Sequence, residues 1–389
     1  MSGAAVPASA TGSSWFQRFL LPGFAFKAVV IGGGYATGRE LAEFFLPSGP
    51  WGGLAAMLLA MLLWSVICAV TFALARAMGT FDYRSFFEKL LGRGWILFEI
   101  AYVLFVTLIL AVFGAAAGEI GSAVFGWPSI AGTLFLAALI ALFVTFGNSS
   151  VEGLFKYVSF LLYGVYALFM VLALSSFGDL IAARFAIPAP TDGWALGGLT
   201  YASYNVVGAV VILPVVRHMA SQRDAVISGL IAGPLAMAPA ILFFIAMIAF
   251  YPGIINETLP SDFMLQRLEM PLFHLLFQLM IFAALLESGA GSVHAINERI
   301  DTALKARRGR ALTNRARAAI AGGLLIGCMF IADRFGLVAL IASGYRALAY
   351  VFLATYVVPV LTIGLYLLVR GRFASEEDDI QHAAQGNAK

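Results

Sequence analysis

The chain reads as long apolar runs separated by short polar interruptions. A helix needs about 20 apolar residues to cross a bilayer. Ten runs meet that requirement: 23–46, 51–78, 93–122, 129–147, 150–177, 194–216, 225–251, 271–300, 316–333 and 336–369. No ten-residue alternating pattern repeats as a transmembrane barrel requires, so the expected fold class is an all-α integral membrane protein. The last run is long enough for one tilted helix, or for a short outer helix followed by a crossing one.

Composition narrows this further. Of the 389 residues, 61% are hydrophobic and 12% charged, against about half and a quarter in soluble domains. A soluble enzyme cannot cover its surface with so little charge, and a disordered chain needs low hydrophobicity and high charge. The 40 glycines have no three-residue period, which excludes collagen-like order. The net charge of +3 is too balanced to suggest nucleic acid. Cys68 and Cys328 fall inside apolar runs and read as small buried hydrophobes. The four histidines show no ligand spacing for zinc, haem or iron–sulfur. No cofactor is expected, with Na⁺ kept open as a coupling ion. The apolar stretch after the first ~20 residues lacks an A-x-A-like cleavage site, so no signal peptide is expected.

Lys and Arg set the orientation. With the N-terminus inside, eighteen of the 24 fall in inner segments, seven of them between Arg299 and Arg317, and three, Arg184, Arg267 and Arg334, in outer loops. Both termini are therefore expected in the cytoplasm of a multi-pass protein of the plasma (inner) membrane. The Arg299–Arg317 stretch reads as a positive-inside loop rather than a nucleic-acid site, and Glu376–Asp379 as a solvated tail.

An internal repeat is legible at an offset of about 176 residues. Gly32 meets Gly208, the segment around Asp82 meets that around Thr258, and Gly114–Gly118 meets Ala290–His294. After the basic loop the offset grows, and Gly153-Leu154-Phe155 meets Gly336-Leu337-Val338. The expected organisation is a tail (1–22), a five-helix repeat (23–177), a second five-helix repeat (192–370) and a C-terminal tail (371–389). Five is odd, so the second repeat enters from the opposite side, giving an inverted repeat.

Each half opens on an interrupted run. The first carries Gly32, Gly33, Gly34, Tyr35, Ala36, Thr37 and Gly38 halfway across, and three successive glycines favour non-helical backbone. The sixth carries Ser203, Tyr204, Asn205 and Gly208 ahead of Pro214. The competing reading is that these glycines only allow close packing. Unwound backbone at membrane depth survives where protein or a cavity satisfies it, and it offers N–H groups to anions and carbonyls to cations.

Ionisable residues at depth mark function by default. Glu287 lies near the middle of the eighth run, followed by Ser288, and Glu287, Gly291, His294 and Glu298 share a helical face. That face is expected to line the pathway, against a structural hydrogen bond from a protonated Glu287 and a packing role for His294. Lys156 either snorkels inward or holds a fixed positive charge where a transporter otherwise binds sodium. Arg39 and Glu43, with Glu40 adjoining, form either an outer gate or an i,i+4 pair. Arg346 draws an anionic solute inward or pairs with Glu119.

GGGYATGRE at 32–40 followed by Leu-Ala-Glu-Phe-Phe resembles the first-span signature of the YkvI-like family of proposed amino-acid permeases. Tyr204-Asn205 through Pro214, and Asn297-Glu298-Arg299-Ile300, are similar to the same family. The resemblance covers roughly 23–370. It implies a LeuT-type five-plus-five fold with broken helices 1 and 6, in which spans one, three, six and eight surround the substrate. It also implies a sodium site between the first break and Glu287 and Ser288, or a Lys156 that replaces sodium with proton coupling. The function expected is secondary active transport of a small zwitterionic or anionic solute. Gly33–Gly38 and Ser203–Gly208 would bind the solute. Gly32, Glu287, Ser288, Lys156 and His294 would couple the ion, and Arg39, Glu43 and Arg346 would gate. The alternative is a channel or a non-transporting sensor on the same fold; a membrane enzyme lacks any nucleophile–base set.

Overall fold

The structure, a computed structural model, describes residues 13–146, 148–308 and 311–370, and among them it is helical, without a strand. The helices in chain order are α1 (Trp15–Phe19), α2 (Leu21–Val30), α3 (Gly33–Ala36), α4 (Arg39–Phe44), α5 (Gly49–Met78), α6 (Tyr83–Leu91), α7 (Trp95–Phe125) and α8 (Ser129–Phe146). They continue with α9 (Asn148–Ala186), α10 (Trp194–Asn205), α11 (Gly208–Val211), α12 (Gln222–Ile248), α13 (Pro260–Arg267), α14 (Pro271–Arg308) and α15 (Asn314–Ala339). A π-helical turn, Leu340–Tyr345, leads into α16 (Arg346–Phe352), and α17 (Leu365–Arg370) closes the described chain.

Among the described residues six stretches are long and apolar enough to cross a membrane: Leu46–Met78, Tyr83–Phe125, Leu162–Ala186, Gln222–Ile248, Pro271–Asp301 and Asn314–Arg370. The difference from ten has physical causes. The first run is divided, so α2 has only 10 residues. The fourth yields the 18-residue helix α8, Ser129–Phe146, short for a crossing. The sixth stops after the 12 residues of α10. The ninth and tenth are continuous in hydrogen bonding, but Gly336 between them has φ 70° and ψ 168°, so the 57-residue stretch Asn314–Arg370 turns there.

The helices pack in two groups. In one, α12 lies along α5 and α2, and α10 lies along α5. In the other, α7, α8, α14 and α15 pack on one another, while α9 touches both α14 and α12. With no water to drive helices together, association in lipid depends on close approach and hydrogen bonds. The α5–α12 contact has both. Ser65 Oγ donates to Leu230 O at 2.9 Å, and Gly229 sits so near α5 that a Cβ there would meet the Ala69 backbone and lie 2.7 Å from Cys68 C. At one end of this group Arg18 forks onto Asp224, from Nε at 2.8 Å and Nη2 at 3.0 Å, tying α1 to the start of α12. Cys68 and Cys328 are both buried and unbridged.

Gly229→Leu should force α5 and α12 apart and cost about 1–3 kcal/mol or more, the usual cost of overpacking a close contact. Thermal unfolding in detergent checks this; a Leu at Gly322, which has open space around it, should leave the midpoint nearly unchanged.

Candidate functional site

The first run leaves helical geometry at Ile31, with φ −75° and ψ 80°. Gly32 N donates to Val30 O at 2.8 Å, a tight turn. After the single turn of α3, Thr37 Oγ1 donates to Gly34 O at 3.0 Å. Gly38 has φ 79°, a left-handed conformation that a Cβ would strain. The chain then re-enters helix as α4. From outside this turn, Ser261 N donates to Thr37 O at 2.9 Å.

The sixth run is interrupted more gently. Val206 and Val207 keep right-handed helical dihedrals, but the bonds shorten, with Ala209 N donating to Val206 O at 2.9 Å and Val210 N to Val207 O at 3.1 Å. Val211 N also donates to Val207 O. The amides of Ala209, Val210 and Val211 are therefore taken by the chain's own carbonyls.

Between the two interruptions lies a cavity of about 380 Å³, within the ~300–1,000 Å³ of small-ligand sites. Its polar wall comprises Gly32, Glu40, Tyr204, Asn205, Glu287 and Ser288, with Ser292, Tyr102 and Tyr345 beside them. Its apolar wall includes Val29, Phe105, Ile109, Phe113 and Val211. Both helix groups contribute, α2, α4 and α10 from one, and α7 and α14 from the other.

Glu40 is the central group. Its side chain is 3% exposed, and Tyr204 donates its hydroxyl to Oε2 at 2.7 Å. Asn205 lies beside it in the cavity wall, with Nδ2 donating to Tyr201 O at 3.2 Å. Gly34 makes room for the carboxylate: a Cβ at Gly34 would lie 2.8 Å from Glu40 Cγ. The Tyr204 ring lies 4.6 Å from that of Tyr345 and 5.6 Å from that of Tyr201. Glu287 has a different neighbourhood; it acts on Tyr163, whose ring carries Lys27 Nζ 4.3 Å from its centroid.

Of the residues singled out in the sequence, Gly32, Tyr204, Asn205, Glu287 and Ser288 line this cavity. Gly33, Gly34, Tyr35, Ala36, Thr37 and Gly38 form the turn behind it. Ser203 turns away and donates to Leu199 O at 2.7 Å. Gly208 packs at the Phe26 ring. On α14 the lining passes through Gly291, Ser292 and Ala295 and leaves His294 aside. The Lys156 side chain lies outside the described residues.

Arg39, Glu43 and Arg346 meet at the far end from Tyr102 and Ala295. Arg39 Nη2 lies 2.9 Å from Glu43 Oε2, and Nη1 donates to Ile255 O at 2.6 Å and Glu257 O at 2.9 Å. Arg346 reaches Glu43 Oε1 at 3.3 Å, not Glu119. Glu119 instead borders a separate cavity of about 220 Å³ with Glu257 and Asp262. Sequence reasoning attached Glu40 to this gate. One residue along a helix turns the side chain by 100°, and Glu40 points into the cavity while Arg39 points to the 255–257 carbonyls. The available signal was a carboxylate inside GGGYATGRE that its neighbouring arginine does not need. Among the described residues no group of three or more His, Cys, Asp or Glu stands ready for a metal.

No family model matches the chain. It is 23% identical over 284 residues to the uncharacterized membrane protein YkvI of Bacillus subtilis (strain 168), covering 72% of this chain and 80% of that protein. Among solved structures it is similar to MhsT in complex with L-phenylalanine, with a TM-score of 0.54, 14% identity, and 93% and 98% of the two chains covered. The fold is that of LeuT-type transporters. It is likewise similar to a Na⁺-coupled sialic acid symporter (TM-score 0.55, 12% identity, 92% and 82% covered). A manganese transporter of Eremococcus coleocola matches with a TM-score of 0.56, 16% identity, and 92% and 83% covered. The last two of these neighbours are transporters.

Arg39→Ala should be costly, because it leaves two carbonyls without their donor and Glu43 with only the half-exposed Arg346; breaking such a buried pair costs about 3–5 kcal/mol. Arg346 is half exposed, and Arg346→Ala should cost no more than about 1 kcal/mol. Thermal melts of the two variants side by side test this difference.

Proposed function

We propose that this protein is a secondary active transporter of a small amine-bearing solute, an amino acid or a related zwitterion, working by alternating access coupled to Na⁺ or H⁺. The observation that carries this reading is the cavity between the two interrupted runs, polar on the side of Glu40, Tyr204 and Asn205 and walled by both helix groups. The likeness in fold to transporters supports it. An anionic solute loses support, because a carboxylate sits at the interruption and the amides of Ala209–Val211 are occupied.

The two interruptions read as the broken helices 1 and 6 of a five-plus-five inverted repeat. The basic loops put the end bearing Tyr102, Val211 and Ala295 at the cytoplasm of the plasma membrane. The cavity runs towards that end, and the Arg39–Glu43–Arg346 cluster closes the other, which corresponds to an inward-facing state. The packing of α2, α5, α10 and α12 as one unit suits a body that tilts against α7, α8, α14 and α15. A loaded cavity moves the equilibrium between the two states only through its different affinity for each. Gly32 carbonyl, Glu287 and Ser288 supply oxygens for a coupling Na⁺, or Glu287 a site for a proton.

Counterflow in proteoliposomes tests the reading, since a carrier exchanges labelled for unlabelled solute and a channel does not. Glu287→Gln should keep counterflow and lose ion-driven accumulation by an order of magnitude or more. Accumulation at the normal level in that variant removes Glu287 from the coupling, and absence of counterflow in the unaltered protein favours the channel or sensor.

A further inference from the structure

We infer that the cavity recognises its cargo through an ammonium group alone, with Glu40 as the counter-charge, and that a proton holds the same carboxylate when cargo is absent. The inference deepens the transporter reading and rests on it for the step across the membrane.

The argument begins with the cost of Glu40. A carboxylate buried at membrane depth is penalised by about 3 kcal/mol or more unless paired or neutralised. Its partner is a neutral donor, the Tyr204 hydroxyl, with the Asn205 side chain beside it in the wall. Among the described residues no Lys, Arg or His lines the cavity. The neighbouring Arg39 is committed to Glu43 and two carbonyls. From the elements packed on α4, the titratable groups that reach Glu40 are Tyr35 of α3, Tyr201 and Tyr204 of α10, and Tyr345 of the π-helical turn. Glu287 shares the cavity and Tyr166 lies beside Tyr35. None of these brings a positive charge, so the missing charge arrives as a proton or with the cargo.

The walls say which cargo. Tyr204 and Tyr345 both border the cavity with rings 4.6 Å apart. Aromatic faces beside a carboxylate form the surroundings that favour an organic ammonium. An inorganic divalent cation needs about six oxygen ligands, whereas among the described residues no group of three or more His, Cys, Asp or Glu gathers here and much of the remaining wall is Val, Ile and Phe. Among the described residues the wall has no cationic side chain to pair with a carboxylate on the cargo. On binding, the Glu40 carboxyl gives its proton to water in the cavity and accepts an N–H⁺ of the cargo; no bond in the cargo changes. One site that holds either a proton or an ammonium, never both, exchanges the two.

The test uses three molecules with one carbon skeleton: L-leucine, its decarboxylated amine isoamylamine, and its deaminated acid 4-methylpentanoate. Binding to the full-length protein in nanodiscs is measured by calorimetry over a range of pH, in two buffers of different ionisation enthalpy. Isoamylamine should bind at least as tightly as leucine, and the acid should not bind. Amine affinity should rise up to about tenfold per pH unit while a proton holds the site, with one proton released per amine. Glu40→Gln should lose the proton release and weaken amine binding at least tenfold, and Glu40→Asp should restore the release. The inference is overturned if the acid binds more tightly than the amine. It is also overturned if leucine binds and isoamylamine does not, if neither isoamylamine nor a shorter or longer n-alkylamine binds, or if amine binding to the unaltered protein releases no proton. Proteoliposomes separate this from the transporter reading: proton release on binding without amine-driven proton movement across the bilayer keeps the ammonium site and removes the carrier.

Discussion

Placing a carboxylate where water is scarce constrains everything around it. Glu40 requires a donor within reach, and Tyr204 supplies it across the gap between the two interrupted runs. It requires space, and Gly34 supplies that by having no side chain. It requires α4 to start at a fixed angle to α3, which the left-handed Gly38 provides. The chain order Gly34, Gly38, Glu40 thus describes one local solution to one electrostatic problem, and the cavity is the room left when it is solved.

The two packing groups follow from the same economy of polar groups. Within each group, glycines and serines let helices touch and bond, as at Gly229 and Ser65. Between the groups lies the cavity, with aromatic and aliphatic side chains on α7 facing the interrupted runs. Each half has a tightly keyed interior of its own, and the cavity lies at the seam between them.

Much of this was legible in the sequence because the bilayer admits few solutions. Low charge and long apolar runs give an all-helical membrane protein, and the GGGYATGRE signature leads to the LeuT-type likeness. Gly32, Tyr204, Asn205, Glu287 and Ser288 could be picked out as polar or flexible residues at the middle of apolar runs. The direction in which a side chain points was not legible. Glu40 and Arg39 are neighbours in sequence and face different surroundings, and His294 misses a wall that Ser292 joins. Helix ends were only partly within reach: the turn at Gly336 falls where the ninth and tenth runs were divided, whereas hydropathy does not register the early stop of α10. The sixth run illustrates why, since its interruption consists of shortened hydrogen bonds with nearly unchanged dihedrals, and no residue type encodes that distinction.

The bond from Ser261 to Thr37 has a mechanical meaning. It fastens the segment that begins α13 to the backbone turn that carries the buried acid three residues later. A shift of that turn and a shift of α13 are therefore tied through one amide and one carbonyl: neither segment can move far on its own without giving up this bond.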